Sequence, residues 1–165
     1  MLLSALLPMA FAGSPCKGVK LTTDEFTGAQ EASIVAGASS SGHPVLVVEF
    51  TLVDGVPTAV FPFGASGLHD GDLPADTTIL LKLEDGMVLE FAAPTSAPPV
   101  ADAVYGVYTT WTVSVPLSEE DLNALKSSRL MVVRTTLPGA GELTWELAFN
   151  QRKKSVQAAT CFLSL

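Results

Sequence analysis

The run His69-Asp-Gly-Asp-Leu-Pro-Ala-Asp76 gathers the densest set of chemistry-bearing side chains in the sequence. Asp70, Asp72 and Asp76 offer hard oxygen ligands of the kind calcium takes, and Gly71 allows a sharp turn between them. The run lacks the following glycine and the distal bidentate glutamate of an EF-hand loop. Asp and Gly are also the commonest turn residues, because of their local backbone chemistry. A polar loop is therefore the expected reading of Asp70–Asp76, and a calcium-stabilised extracellular module the alternative.

Other chemistries find fewer residues. Gly64-Ala-Ser66-Gly67 is one residue short of the Gly-x-Ser-x-Gly nucleophile elbow, and no strand-then-helix frames it. His43 and His69 are the only histidines, so a serine or cysteine nucleophile would need one of them beside it. His43 precedes Pro44 in a small-residue stretch and reads as a solvated loop residue. The histidines stand far apart in sequence and show no zinc-ligand spacing with the cysteines. No glycine-rich segment leads from a strand into a helix, so no phosphate cradle is expected. Glu49, Glu90 and Glu146 fall on the outward sides of predicted strands, where solvated charge is the ordinary explanation. A hydrolase whose carboxylates converge on an open sheet face is the rival to a non-catalytic role.

Tyr108 is the aromatic with a binding character. It stands on the face of its strand opposite Tyr105 and Trp111, among Thr110 and Thr112, where a rigid ring can stack on a sugar or a peptide. Coverage of that face by a second sheet is the competing expectation.

The elements that carry these residues are strands. In Val104–Leu117, Tyr105, Val107, Thr109, Trp111, Val113, Val115 and Leu117 share one side of an extended backbone, a period of two. Leu46, Val48, Phe50 and Leu52 alternate likewise, and Asp54-Gly55 supplies a type I′ turn. Val56 to Phe63 returns, with Pro57 and Pro62 marking an edge or irregular strand. A second hairpin of the same design joins Thr77–Glu84 to Met87–Phe91 through Asp85-Gly86. Its register sets Ile79, Leu81 and Leu83 against Met87, Leu89 and Phe91. The proline-rich stretch 93–102 reads as a surface loop. A third hairpin joins Leu130–Thr136 to Leu143, Trp145, Leu147 and Phe149, with Leu137 leading into Pro138–Gly141 as its turn.

One helix is legible near 118–127, with Ser118 as N-cap, Asp121 completing a capping box, and Leu122 and Leu125 on its buried stripe. Residues 151–165 read either as a helix delivering Cys161 to the N-terminus or as a last strand. The predicted fold is mainly β: a single antiparallel β-sandwich domain over 13–165, of about eight or nine strands with one short crossover helix.

Charge and cysteines bound the role. Three lysines face fifteen acids over 1–125, giving −12, and six basic residues face two acids over 126–165, giving +4, for a net −8. An acidic surface repels nucleic-acid phosphates. The basic Arg152-Lys153-Lys154 reads as a solvated segment, with an acidic partner as the alternative. Met1–Ala12 is short and apolar and ends in Ala-Phe-Ala, which reads as a signal peptide over 1–12, removed on export. It lacks a basic n-region, and a buried N-terminal element is the alternative. Twelve residues are too few to span a bilayer as a helix. Cys16 and Cys161 are the only cysteines and are expected to pair in an oxidising compartment. Gly13-Ser14-Pro15 before Cys16 makes a poor lipidation signal. The sequence thus predicts a secreted or periplasmic β-domain that binds a protein or carbohydrate, or serves the envelope, without catalysis and without a cofactor.

Overall fold

The computed structural model describes residues 14–23, 25–28, 30–39, 46–102 and 107–165. The expected signal over 1–12, His43 and Tyr105 lie outside the described residues.

Among the described residues ten strands and two helices follow one another along the chain. They are β1 (Lys20–Thr23), β2 (Gln30–Ser39), β3 (Leu46–Val53), β4 (Val56–Ser66), β5 (Thr78–Leu83), β6 (Val88–Ala92), β7 (Val100–Asp102), β8 (Tyr108–Pro116), α1 (Glu119–Ser127), β9 (Leu130–Leu137), β10 (Gly141–Leu147) and α2 (Lys153–Phe162). Every described pairing is antiparallel, in the order β6-β5-β9-β10-β2-β3-β4-β8-β7, with β1 added to residues 30–33 of β2, at the opposite end of that strand from β10.

The fold is mainly β, as the alternation predicts, but the two-layer sandwich is corrected to a single curled sheet, half of a barrel. Phe63 of β4 and Trp145 of β10 show the curl. Three strand spacings separate their strands, roughly 14 Å in a flat sheet, yet their rings meet with centroids 5.5 Å apart. Phe61 stacks on Phe63, and Phe50, Trp111 and Leu81 complete the same buried, concave face. Period-two patterning requires each strand to have one buried side. It does not say whether that side meets a second sheet or the far part of its own.

Pro57 and Pro62 sit in a central strand rather than at an edge, because β4 runs between β3 and β8. Leu117 N donates to Pro57 O, so Pro57 turns its backbone toward β8 at the last rung of that ladder. By alternation Pro62 turns toward β3, whose pairing with β4 stops at Glu49–Val60. Both missing N–H groups therefore fall where a ladder has ended.

The Asp-Gly turns differ. Asp54 and Gly55 both take positive φ, 52° and 75°, as the type I′ turn requires. In the second hairpin only Gly86 does, at 91°. Its loop is three residues long, with Gly86 N donating to Leu83 O and Leu83 N to Met87 O. Ser128 and Arg129, at the end of α1, accept from the Asp85 and Glu84 amides and hold this wider loop. The register Ile79–Phe91 and Leu81–Leu89 is as expected.

Two further corrections follow from contacts that local pattern does not report. Segment 93–102 contributes β7 at the sheet edge and buries Ala93 and Ala97. Phe149 lies beyond the end of β10 and is 78% exposed, beside the Arg152 guanidinium. Residues 153–162 are helical, which resolves the tail in favour of α2.

α1 begins as its sequence dictates: Asp121 N donates to Ser118 Oγ and Ser118 N to Asp121 Oδ2. α2 packs on α1, β2, β3 and β9. Cys161 of α2 is bonded to Cys16, 145 residues away, so both cysteines of the chain are consumed. Gln157 Nε2 donates to Lys17 O beside this bridge.

Candidate functional site

The loop that carries the aspartates, residues 67–77, leaves β4 and crosses the open end of the half-barrel to reach β5. It is fixed from three sides. Trp111 Nε1 donates to Gly71 O at 2.9 Å, and Thr109 Oγ1 accepts from His69 N while donating to Gly67 O. Leu73 is buried and exchanges both backbone hydrogen bonds with Ala97. Gly71 and Gly139 bring the loop against the β9–β10 turn. A Cβ at Gly71 would stand 3.2 Å from Pro138 Cβ, and one at Gly139 only 2.7 Å from His69 Nδ1.

Asp70, Asp72 and Asp76 lie exposed along this loop. Among the described residues no three His, Cys, Asp or Glu side chains gather closely enough to share a metal ion. Asp76 takes φ 66°, a left-handed conformation that Asp tolerates better than most residues. His69 is half-buried, its ring 5.8 Å from that of Trp111. Its Nε2 lies 3.0 Å from Ser66 O. A carbonyl oxygen only accepts, so Nε2 carries the proton in this contact. The imidazole is thus a brace for the loop and meets the carbonyl of Ser66, not its hydroxyl.

What the fold creates here is a groove of about 410 Å³ lined by Asp72, Pro74, Thr77, Thr78, Thr136, Leu137 and Pro138. Only Asp72 stands out in the sequence. The rest are brought together because loop 67–77 meets the end of β9, a contact between segments some sixty residues apart. No periodicity reports such a meeting.

The convex face of the sheet is open. Tyr108 is half-buried on it, at the end of β8 between Ser66 of β4 and Asp102 of β7. Thr112, Ser114 and Pro116 extend outward along the same strand, and among the described residues no second sheet covers them. On β1, β2 and β3 a smaller groove of about 220 Å³ is lined by Lys20, Thr22, Glu31, Ser33, Glu49 and Thr51, among others. Glu49 pairs with Val35, four residues along β2 from Glu31, which places the two backbones roughly 13 Å apart along the strand. Glu49, Glu90 and Glu146 stand on β3, β6 and β10, no two of which are neighbours in the sheet.

No family model, curated protein or solved structure matches this chain. Among the described residues no helix is long and apolar enough to cross a membrane.

Proposed function

We propose that this chain is an exported β-domain, secreted or periplasmic, that binds a ligand or partner and performs no catalysis. The observation that carries the reading is the Cys16–Cys161 bridge. It joins the described start of the chain to its last helix across 145 residues, and such bridges persist in oxidising compartments. The apolar Met1–Ala12 in front of it suits an export signal. The binding role draws on the rigidly braced loop and the hydroxyl-lined groove beside it, since binding residues sit preferentially on loops held by a firm scaffold.

Intact-mass measurement of the protein recovered from the cell envelope and the medium, with and without reductant, tests the reading. The expected species lacks residues 1–12 and gains two hydrogens on reduction. Recovery of unprocessed, dithiol protein from the cytosol would overturn it.

A further inference from the structure

We propose that the groove between loop 67–77 and the end of β9 takes a primary ammonium group carried on a methylene chain, a lysine side chain or a polyamine, a proposal that rests on the binding role above. Its lining divides by chemistry. Asp72, Thr77, Thr78 and Thr136 contribute a carboxylate and three hydroxyls, while Pro74 and Pro138 contribute hydrocarbon; the Leu137 side chain belongs to the core. Thr77 Oγ1 already gives its proton to Pro74 O at 2.7 Å, so toward the groove it can only accept. An ammonium has three donors and no acceptor, and its stem covers apolar surface while its head seeks oxygen. The two halves of the lining match those two needs.

The surrounding field has the same sign. Loop 67–77 carries Asp70, Asp72 and Asp76 and neither lysine nor arginine, and segments 93–99 and 138–140 carry no charge. The nearest cation along β9 is Arg134, which Glu142 holds at 3.8 Å. A cationic ligand is therefore drawn to this end and meets no fixed cation in the lining. The bonds from Trp111 and Thr109 fix the loop before any ligand arrives, which lowers the ordering cost of binding.

The test is an amide NMR titration of the oxidised full chain with spermidine, tri-lysine, tri-glutamate and a neutral disaccharide. Saturable shifts are expected at Asp72, Thr77, Thr78 and Thr136 with at least one of the two amines, and none with tri-glutamate or the sugar. Asp72→Asn should weaken amine binding about tenfold. Thr136→Val should weaken it about threefold. Asp85→Asn, on the distant turn of the second hairpin, should leave binding unchanged. Saturation by one amine alone supports the proposal and identifies the source as peptide or free polyamine. No shift, shifts equally large at the exposed Glu119 and Glu120, or binding of the sugar would each overturn it. Processing and bridge are read by mass, so an amine failure leaves the export reading standing.

Discussion

The two ends of the half-barrel are secured by different means. At one end α1 and α2 close the sheet, and the Cys16–Cys161 bond ties α2 to the start of the described chain. At the other no helix is present among the described residues. A loop is stitched down by an indole N–H, a threonine hydroxyl and one isolated backbone bridge. The first end resists unfolding because the denatured chain is constrained. The second holds its shape through a few directional bonds, each worth about 1 kcal/mol net. The covalently secured end offers stability, and the stitched end offers a shaped, acidic, solvent-facing surface.

Breaking the bridge should have the largest effect. Cys16→Ser with Cys161→Ser is expected to cost about 4–5 kcal/mol in the chain-entropy account, read from denaturant midpoints in non-reducing buffer. A loss below about 1 kcal/mol would show that the helical end does not depend on it. Trp111→Phe removes the donor to Gly71 O and part of a buried ring, and should cost about 3 kcal/mol. Hydrogen exchange sharpens that result: amides of 67–77 should lose protection before those of α2. Equal loss at both ends would erase the distinction between them.

Two glycine substitutions separate conformation from contact. Gly139→Ala meets both a φ of 71° and the His69 ring, and Gly55→Ala meets only a φ of 75° in open space. The first is expected to cost about 2–3 kcal/mol and the second about 1 kcal/mol, by thermal melts compared under one condition. Ser118→Ala, which deletes the α1 cap, should cost about 1 kcal/mol. It should leave protection of the 67–77 loop unchanged.

Local chemistry was legible where the sequence holds it locally. The capping box at Ser118 and Asp121, the Ile79–Phe91 register and the positive φ of Asp54-Gly55 each depend on residues a few positions apart. The concave side of β8 was readable from Thr109, Trp111, Val113 and Val115 for the same reason. Curvature was not, because it emerges from how ten strands stagger and twist together. The central place of β4 was hidden by two prolines whose cost vanishes only once the ends of the neighbouring ladders are known. Of the groove, Asp72 was visible as one of several loop carboxylates. Thr136 and Pro138 were ordinary residues of a hairpin until Gly71 and Gly139 brought that hairpin under the loop.

Among the described residues β10 meets β2 through the pairs Glu146–Ser39 and Leu147–Ala38. α2 lies across that seam, touching β2 and β3 on one side and β9 on the other. The sulfur–sulfur bond on α2 therefore acts as a clasp. Once it is reduced, α2 should be the first element to lift away, uncovering the seam it now holds shut.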